Sequence, residues 1–125
     1  MIRILLLIGS GSFLGGVSRY LTSRYIQEHI LSIFPFGTFV VNILGCFLIG
    51  LFFAISERAE VFSIETRMFL TVGFCGGFTT FSTFSNENLA LIRDGDIIYV
   101  ALYAGSSVIL GILATYMGNL IVNTF

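Results

Sequence analysis

The stretch GGFTTFSTFS, residues 76–85, lies between apolar segments and decides the fold. It contains a pair of glycines, five hydroxyl side chains and three phenylalanines spaced three residues apart. Eight of the ten residues from 79 to 88 are polar, including Asn86, Glu87 and Asn88. Serine and threonine can donate to carbonyls of their own helix, but an acid and two amides need other partners. We therefore expect this segment to face a polar interior rather than lipid.

The composition around this stretch is that of a membrane protein. Of the 125 residues, 56% are hydrophobic and only 10% are charged, and the mean hydropathy is +0.98. Soluble domains contain about 25% charged residues. The six basic residues are all arginine and the formal net charge is −1, which excludes the basic face of a nucleic-acid-binding protein. The sequence thus predicts an integral protein of the cell membrane.

Four apolar segments have the length of about 20 residues that a helix needs to cross a bilayer. They predict an all-α fold with four transmembrane helices in a single domain, 1–125, with spans at about 3–24, 36–56, 67–91 and 97–121. No sequence is left over for a soluble domain.

The connecting segments carry recognisable helix boundaries. Pro35 suits the first turn of the second helix, and Ser63 is a candidate N-cap for the third. The sequence RDGD, residues 93–96, predicts a tight turn. The longest link is the amphipathic segment before Pro35.

The arginines favour neither orientation in the membrane. With four spans, one side carries three arginines and the other carries two or three: Arg3, Arg58 and Arg67 against Arg24, Arg93 and, if it counts as flanking, Arg19. Orientation normally follows an excess of basic residues in cytoplasmic loops. A single arginine could still impose one orientation. Insertion in both orientations agrees at least as well with these arginine counts, and it would allow an antiparallel dimer.

Small residues indicate where helices approach closely. Gly11 and Gly15 form a G-x-x-x-G motif, and Ser107 and Gly111 have the same spacing in the fourth span. Four helices fill their own centre with side chains, so a pathway forms more easily between subunits than within one. We expect these positions to support oligomerisation.

The glycine pair Gly76–Gly77 predicts a break in the third helix. Irregular backbone at membrane depth is tolerated where it is buried in protein or lines a cavity, and free carbonyls there can bind a cation. Close packing of a regular helix is the alternative explanation for these glycines.

Three phenylalanines in this segment suggest a way to bind an anion. Phe78, Phe81 and Phe84 recur every three residues and are expected to share one helix face. Because the edges of aromatic rings carry partial positive charge, they can hold a small anion weakly enough for release.

Other polar residues within the spans have two interpretations each. Asn42 either bonds across helices or lines a path. Arg19 either extends to the headgroups or gives a vestibule a positive potential. The fourth span has a sparse polar face: Tyr103, Ser106, Ser107 and Thr115.

These motifs together resemble the Fluc (CrcB) family of fluoride channels over nearly the whole chain. The resemblance rests on GGFTTFSTFS, on the asparagine in GTFVVNILGCFLIG, on the first span ending in SRY and on YAGSS in the fourth span. It implies an antiparallel, dual-topology homodimer in membrane lipid that exports cytoplasmic fluoride passively through two pathways. It also implies a structural sodium ion at the dimer centre.

The same resemblance implies roles for individual residues. The rings of Phe81 and Phe84 would contact fluoride, and Asn42 would donate its amide to it. The carbonyls of Gly76 and Thr79 would hold sodium. The resemblance also implies a polar track for fluoride that consists of Ser82, Thr83 and Thr115. Two further polar residues, Tyr103 and Ser107, would lie near the pathway. Arg19 would lie at the vestibule. Glu87 matches an acid of the family to which we assign no role.

Functions of other classes fit the sequence less well. A small multidrug exporter also uses four spans and an antiparallel dimer, but it needs a carboxylate in its first span, and residues 2–27 contain no acid. A membrane lipid kinase would need a lysine or a metal site for phosphate, and the chain has no lysine. A purely structural subunit would have little use for so polar a span.

Overall fold

The computed structural model describes residues 1–59 and 61–125, and within them every regular element is helical. The all-α prediction is therefore confirmed for the described part of the chain. The elements are α1 (Ile2–His29), α2 (Phe36–Ala59), α3 (Ile64–Met68), a π-helical segment (Phe69–Cys75), α4 (Gly76–Phe78), α5 (Phe81–Arg93) and α6 (Ile97–Thr124).

Three of the helices are long and apolar enough to cross a membrane, namely α1, α2 over Phe36–Arg58, and α6. The third predicted span is interrupted, as expected, and neither of its two parts, Ile64–Phe78 and α5, reaches the usual crossing length by itself. The third predicted span is therefore divided into two shorter helical parts.

The interruption does not lie at the glycines, and that part of the prediction is wrong. Gly76 is helical, with φ −61° and ψ −38°, and α4 continues through Gly77. The backbone becomes extended at Thr79 (φ −98°, ψ 158°) and Thr80 (φ −149°, ψ 121°). Two consecutive β-branched residues favour this extended conformation. We call residues 79–80 the break.

A threonine cap restarts the helix after the break. The Thr80 hydroxyl accepts a hydrogen bond of 3.2 Å from the Thr83 amide, which would otherwise lack a partner at the start of α5. The predicted cap at Ser63 is also confirmed, since its hydroxyl accepts from the Thr66 amide at 3.1 Å.

The first helix is longer than predicted. It continues to His29 and takes up most of the expected amphipathic link, leaving only residues 30–35 between α1 and α2. An ion pair four residues apart, Arg24 to Glu28 at 2.7 Å, supports the extra turn. The predicted turn before α6 is present, with Gly95 at φ 78°.

Glycines bring α1 against the first half of the third span. A Cβ added at Gly11 would lie 2.5 Å from the Phe69 carbonyl oxygen, and one added at Gly15 would overlap the Phe74 carbonyl. The expectation that these two glycines support oligomerisation is therefore wrong, because the chain uses them internally. Gly77 has the same function, since its Cβ would lie 2.6 Å from the Ser12 carbonyl oxygen.

The second major contact joins α2 and α6. A Cβ at Gly50 would overlap the Thr115 carbonyl, and one at Gly118 would overlap the Phe47 carbonyl. Close approach of two long helices through small residues is the usual way to pack helices in a bilayer, where burial from water provides no driving force between them.

Contacts at one end of the bundle are consistent with alternating crossings. Arg3, at the start of α1, forms an ion pair of 3.1 Å with Glu65 in α3. Arg58, near the end of α2, donates to the Val122 carbonyl near the end of α6. The start of α1, the end of α2, the start of α3 and the end of α6 thus lie together.

The large apolar side chains of α1 and α6 mostly face outward. Leu6 and Phe13 on α1 and Ile98 and Ile112 on α6 are each more than half exposed. This arrangement places apolar surface where lipid or another subunit would cover it. Together with the three long apolar helices, it indicates a multi-pass membrane protein.

Candidate functional site

The break is bound by the side-chain amide of Asn42 on α2. The Thr80 amide donates to Asn42 Oδ1 at 2.8 Å, and Asn42 Nδ2 donates to the Thr80 carbonyl oxygen at 3.1 Å. The side chain therefore satisfies both backbone polar groups of one extended residue, in the way that a neighbouring strand would. In an apolar setting those groups would otherwise be costly to leave unpaired.

This pairing leaves carbonyl groups without their helical partners. In a continuous helix the Thr80 amide would bond to the Gly76 carbonyl, but here it bonds to Asn42. The Thr83 amide, the regular partner of the Thr79 carbonyl, is taken by the Thr80 cap. The oxygens of Gly76 and Thr79 are thus available to another group. Neutral carbonyl oxygens are suitable ligands for a hard cation such as Na⁺, so the donor set fits the predicted sodium site.

Arg19 also contacts the third span near the break. Its Nε donates to the Gly77 carbonyl oxygen at 3.0 Å. A cation close to the last carbonyls of a helix interacts favourably with the helix dipole, so Arg19 stabilises the end of α4. Arg19 is half-buried within the protein. This contact is an additional role and leaves both interpretations drawn from the sequence as predictions.

The phenylalanine series divides at the break, and the prediction of one shared face is wrong. Phe78 lies before the break, is only 4% exposed and stacks on Phe74 with ring centroids 5.7 Å apart. Phe81 and Phe84 lie after it in α5, with centroids 5.7 Å apart, and Phe81 is 78% exposed. Phe84 also meets Tyr103 in an edge arrangement at 4.9 Å. Only the last two rings are free to meet an ion.

A cavity of about 360 Å³ lies beside the break and opens to the outside of the chain. Six of the predicted site residues line it: Asn42, Gly76, Thr79, Phe81, Phe84 and Ser107. Gly45, Cys46, Cys75 and Thr80 contribute to the same wall. The Ser107 hydroxyl is buried and, within the described part of the chain, has no hydrogen-bond partner. A polar atom of this kind can contact an ion or a water molecule inside the cavity.

The remaining predicted site residues lie outside this cavity lining. Ser82 is exposed, with its hydroxyl 3.4 Å from that of Thr80. Thr83, the next residue along α5, is half-buried. Thr115 donates its hydroxyl to the Gly111 carbonyl at 3.0 Å, within α6. These residues are not brought together with the cavity group in a single chain.

Glu87, to which the sequence assigned no role, is held by two hydroxyl groups. Tyr103, which is fully buried, donates to Oε1 at 2.9 Å, and Thr38 donates to Oε2 at 3.0 Å. The carboxyl group thus connects α5 to α6 and α2. Thr38 was missed by sequence reasoning, although it lies four residues before Asn42 and so on the same side of α2. This four-residue spacing is the sequence signal that could have identified Thr38.

Comparison with known proteins identifies the family of the chain. The family model described as "CrcB-like protein, Camphor Resistance (CrcB)" matches residues 6–119. A protein of Flavobacterium psychrophilum is 47% identical over 114 residues, covering 91% of this chain and 92% of its own length. One from Chlorobium chlorochromatii is 48% identical, covering 91% and 88%, and one from Bacteroides fragilis is 48% identical, covering 93% and 91%. Each of the three is named "Fluoride-specific ion channel FluC". By the extent of these matches, the chain belongs to the CrcB family.

Proposed function

We propose that the protein is a fluoride-selective ion channel that lets cytoplasmic fluoride leave the cell passively and so limits its toxic accumulation. The observation that carries this proposal is the cavity beside the break. Asn42, Phe81, Phe84 and Ser107 line it together, in a chain nearly half identical to proteins named as fluoride channels. The protein is not an enzyme, since the relatives are named for ion conduction.

The chemistry of these residues suits a small, strongly hydrated anion. Ring edges of Phe81 and Phe84 offer partial positive charge without a full charge that would hold the ion too tightly. The Ser107 hydroxyl and the second N–H of the Asn42 amide can each donate one hydrogen bond. Such donors replace part of the water shell that fluoride loses on entry.

The proposal includes an antiparallel, dual-topology homodimer in lipid, in which each chain is a single domain, 1–125. Phe81 is 78% exposed and the cavity is open, as expected if a second copy completes the pathway. The near-equal numbers of arginines at the two ends support insertion in both orientations.

Protease digestion tests this dual topology. If both orientations occur, a C-terminal tag on protein in sealed cells should be digested by external protease in about half of the copies. Digestion of all copies or of none would mean a single orientation.

A sodium ion at the dimer centre is the second part of the proposal. Carbonyl oxygens of Gly76 and Thr79 from both copies would hold it, because the break frees both of them. When bound, the ion would neutralise the converging carbonyl dipoles and so stabilise the contact between the two breaks.

The other residues have supporting roles in this proposal. Ser82, Thr83 and Thr115 offer hydroxyl groups along the route away from the cavity. Tyr103 packs against Phe84 in an edge arrangement, and Arg19 contributes positive potential near the break. Thr115 and Tyr103 already donate their hydroxyl protons within the chain, so each hydroxyl would have to rotate in order to donate to the ion.

Growth of fluoride-sensitive cells tests the function. A bacterium lacking its own fluoride exporter should grow in millimolar fluoride when it makes this chain, and should hold less intracellular fluoride than cells with an empty vector. A small multidrug exporter would instead confer resistance to cationic drugs and leave fluoride sensitivity unchanged. That result would contradict the proposal.

A further inference from the structure

We propose that Asn42 is a positioning residue that keeps the third helix broken at Thr80, in addition to any contact it makes with an ion. The inference rests on the proposed function only where it concerns sodium. Its structural part depends on the hydrogen bonds between one side chain and one backbone residue.

The first step is the geometry of the pair. The Thr80 N–H donates to Asn42 Oδ1 at 2.8 Å and the Thr80 carbonyl accepts from Asn42 Nδ2 at 3.1 Å. A primary amide is planar and carries a donor and an acceptor side by side, so it matches the two backbone groups of an extended residue. Both bonds have ordinary lengths, and the amide oxygen is thereby committed to the Thr80 amide.

The second step is the rigidity of the support. Asn42 lies within the long helix α2, and its neighbour Val41 is completely buried. The Cβ that Gly45 lacks would overlap the methyl group of Thr79. The break therefore rests directly against α2 at Thr79 and Thr80. A side chain on a rigid helix holds such geometry better than one on a loop.

The third step is what happens without the amide. Thr80 would then have an unpaired N–H and carbonyl at membrane depth, so the break would no longer hold one conformation. It would open more often and would also sample the regular helix, in which the Thr80 amide bonds to the Gly76 carbonyl and that oxygen is lost to any cation site. The extended preference of two threonines is too weak to prevent this, since it is smaller than the cost of an unpaired buried group.

Hydrogen exchange of the full-length protein in lipid nanodiscs tests the structural part, with peptides resolved across residues 76–84. Asn42→Ala removes both bonds, and we expect exchange at Thr80 to rise roughly three- to tenfold, as for loss of one ordinary hydrogen bond. Asn42→Asp keeps an acceptor oxygen in either protonation state, and Thr80 should retain nearly the original protection. Asn123→Ala is the control, because the Asn123 side chain bonds to Asn119 near the C-terminal end of α6, away from the break.

A sodium titration of fluoride efflux, with the same variants in liposomes, tests the consequence. The sodium concentration for half-maximal efflux should rise at least threefold in Asn42→Ala and stay constant in Asn123→Ala. A residue that only contacts fluoride would lower the maximal flux without moving this midpoint. If Asn42→Ala does not run as intact protein in gel filtration, Asn42→Leu, which is close in volume, takes its place.

Two results would overturn the inference: unchanged exchange at Thr80, or an unchanged sodium midpoint in a variant that lost the amide. Failure of the proposed function is a different result, namely no fluoride efflux from the unmodified protein. In that case the exchange experiment alone still decides whether Asn42 positions the break.

Discussion

At the scale of single residues, the third span depends on side chains from two other helices. Asn42 on α2 pairs with Thr80, and Arg19 on α1 donates to the Gly77 carbonyl. Neither relation is visible in the sequence, because the partners are 38 and 58 residues apart and no local pattern connects them. The composition of the third span indicates that its polar groups need partners, but it does not indicate which residues those partners are.

The two rings at the cavity give a direct prediction. Phe81→Ile and Phe84→Ile should each abolish fluoride flux, because isoleucine keeps the apolar volume but removes the positive ring edge. Flux is measured in liposomes, and gel filtration checks that assembly is intact. Phe125→Ile, at the exposed chain end, is the matched control. Normal fluoride flux in both pathway variants would contradict the ring-edge mechanism.

Removal of one hydroxyl around Glu87 should lower stability. Tyr103→Phe deletes the donor to Oε1 and leaves a half-buried carboxyl oxygen unpaired, which costs about 1–3 kcal/mol in the free energy of unfolding. Thermal unfolding in detergent, followed by circular dichroism, measures the loss. Tyr116→Phe, at a 60% exposed position on the same helix, should unfold at the original temperature. Equal midpoints for both variants would contradict a structural role of this hydrogen bond.

At the scale of helices, the sequence predicted the elements well and the position of the break less well. Apolar length was enough to place α1, α2 and α6, since a bilayer imposes that length. Gly76 and Gly77 suggested a break because glycine destabilises isolated helices. In the folded chain Gly77 instead lets α1 approach, and the β-branched pair Thr79 and Thr80 becomes extended. Close packing outweighed local propensity, and only the tertiary structure reveals which effect dominates.

The packing of α1 gives a prediction at this scale. Gly15→Ala should be strongly destabilising, since its methyl group would overlap the Phe74 carbonyl, and backbone cannot move aside as a flexible side chain can. Gly16→Ala, next to it, meets no atom within 4 Å and should be neutral or raise helix stability by up to about 1 kcal/mol. Thermal unfolding of the two variants in the same detergent compares them. Equal stability would refute close packing of α1 on the third span.

At the scale of the whole molecule, the proposed dimer accounts for surfaces that one chain leaves open. The cavity beside the break is open, Phe81 projects outward, and most large apolar side chains of α1 and α6 are uncovered. Lipid can cover the apolar helices, but it cannot satisfy free carbonyls and hydroxyls beside an open cavity. A second copy placed with the opposite orientation would bring two breaks together and enclose both cavities, which is how the proposed dimer explains these exposed groups.

Fluoride efflux from liposomes containing the purified protein tests the central claim most directly. Vesicles loaded with potassium fluoride or potassium chloride are diluted into sodium-containing buffer, and an ion electrode records release after valinomycin dissipates the voltage. A passive, selective channel predicts rapid fluoride release that depends on valinomycin, with chloride release close to that of empty vesicles. Fluoride release no faster than from empty vesicles, by intact protein in that buffer, would contradict the claim.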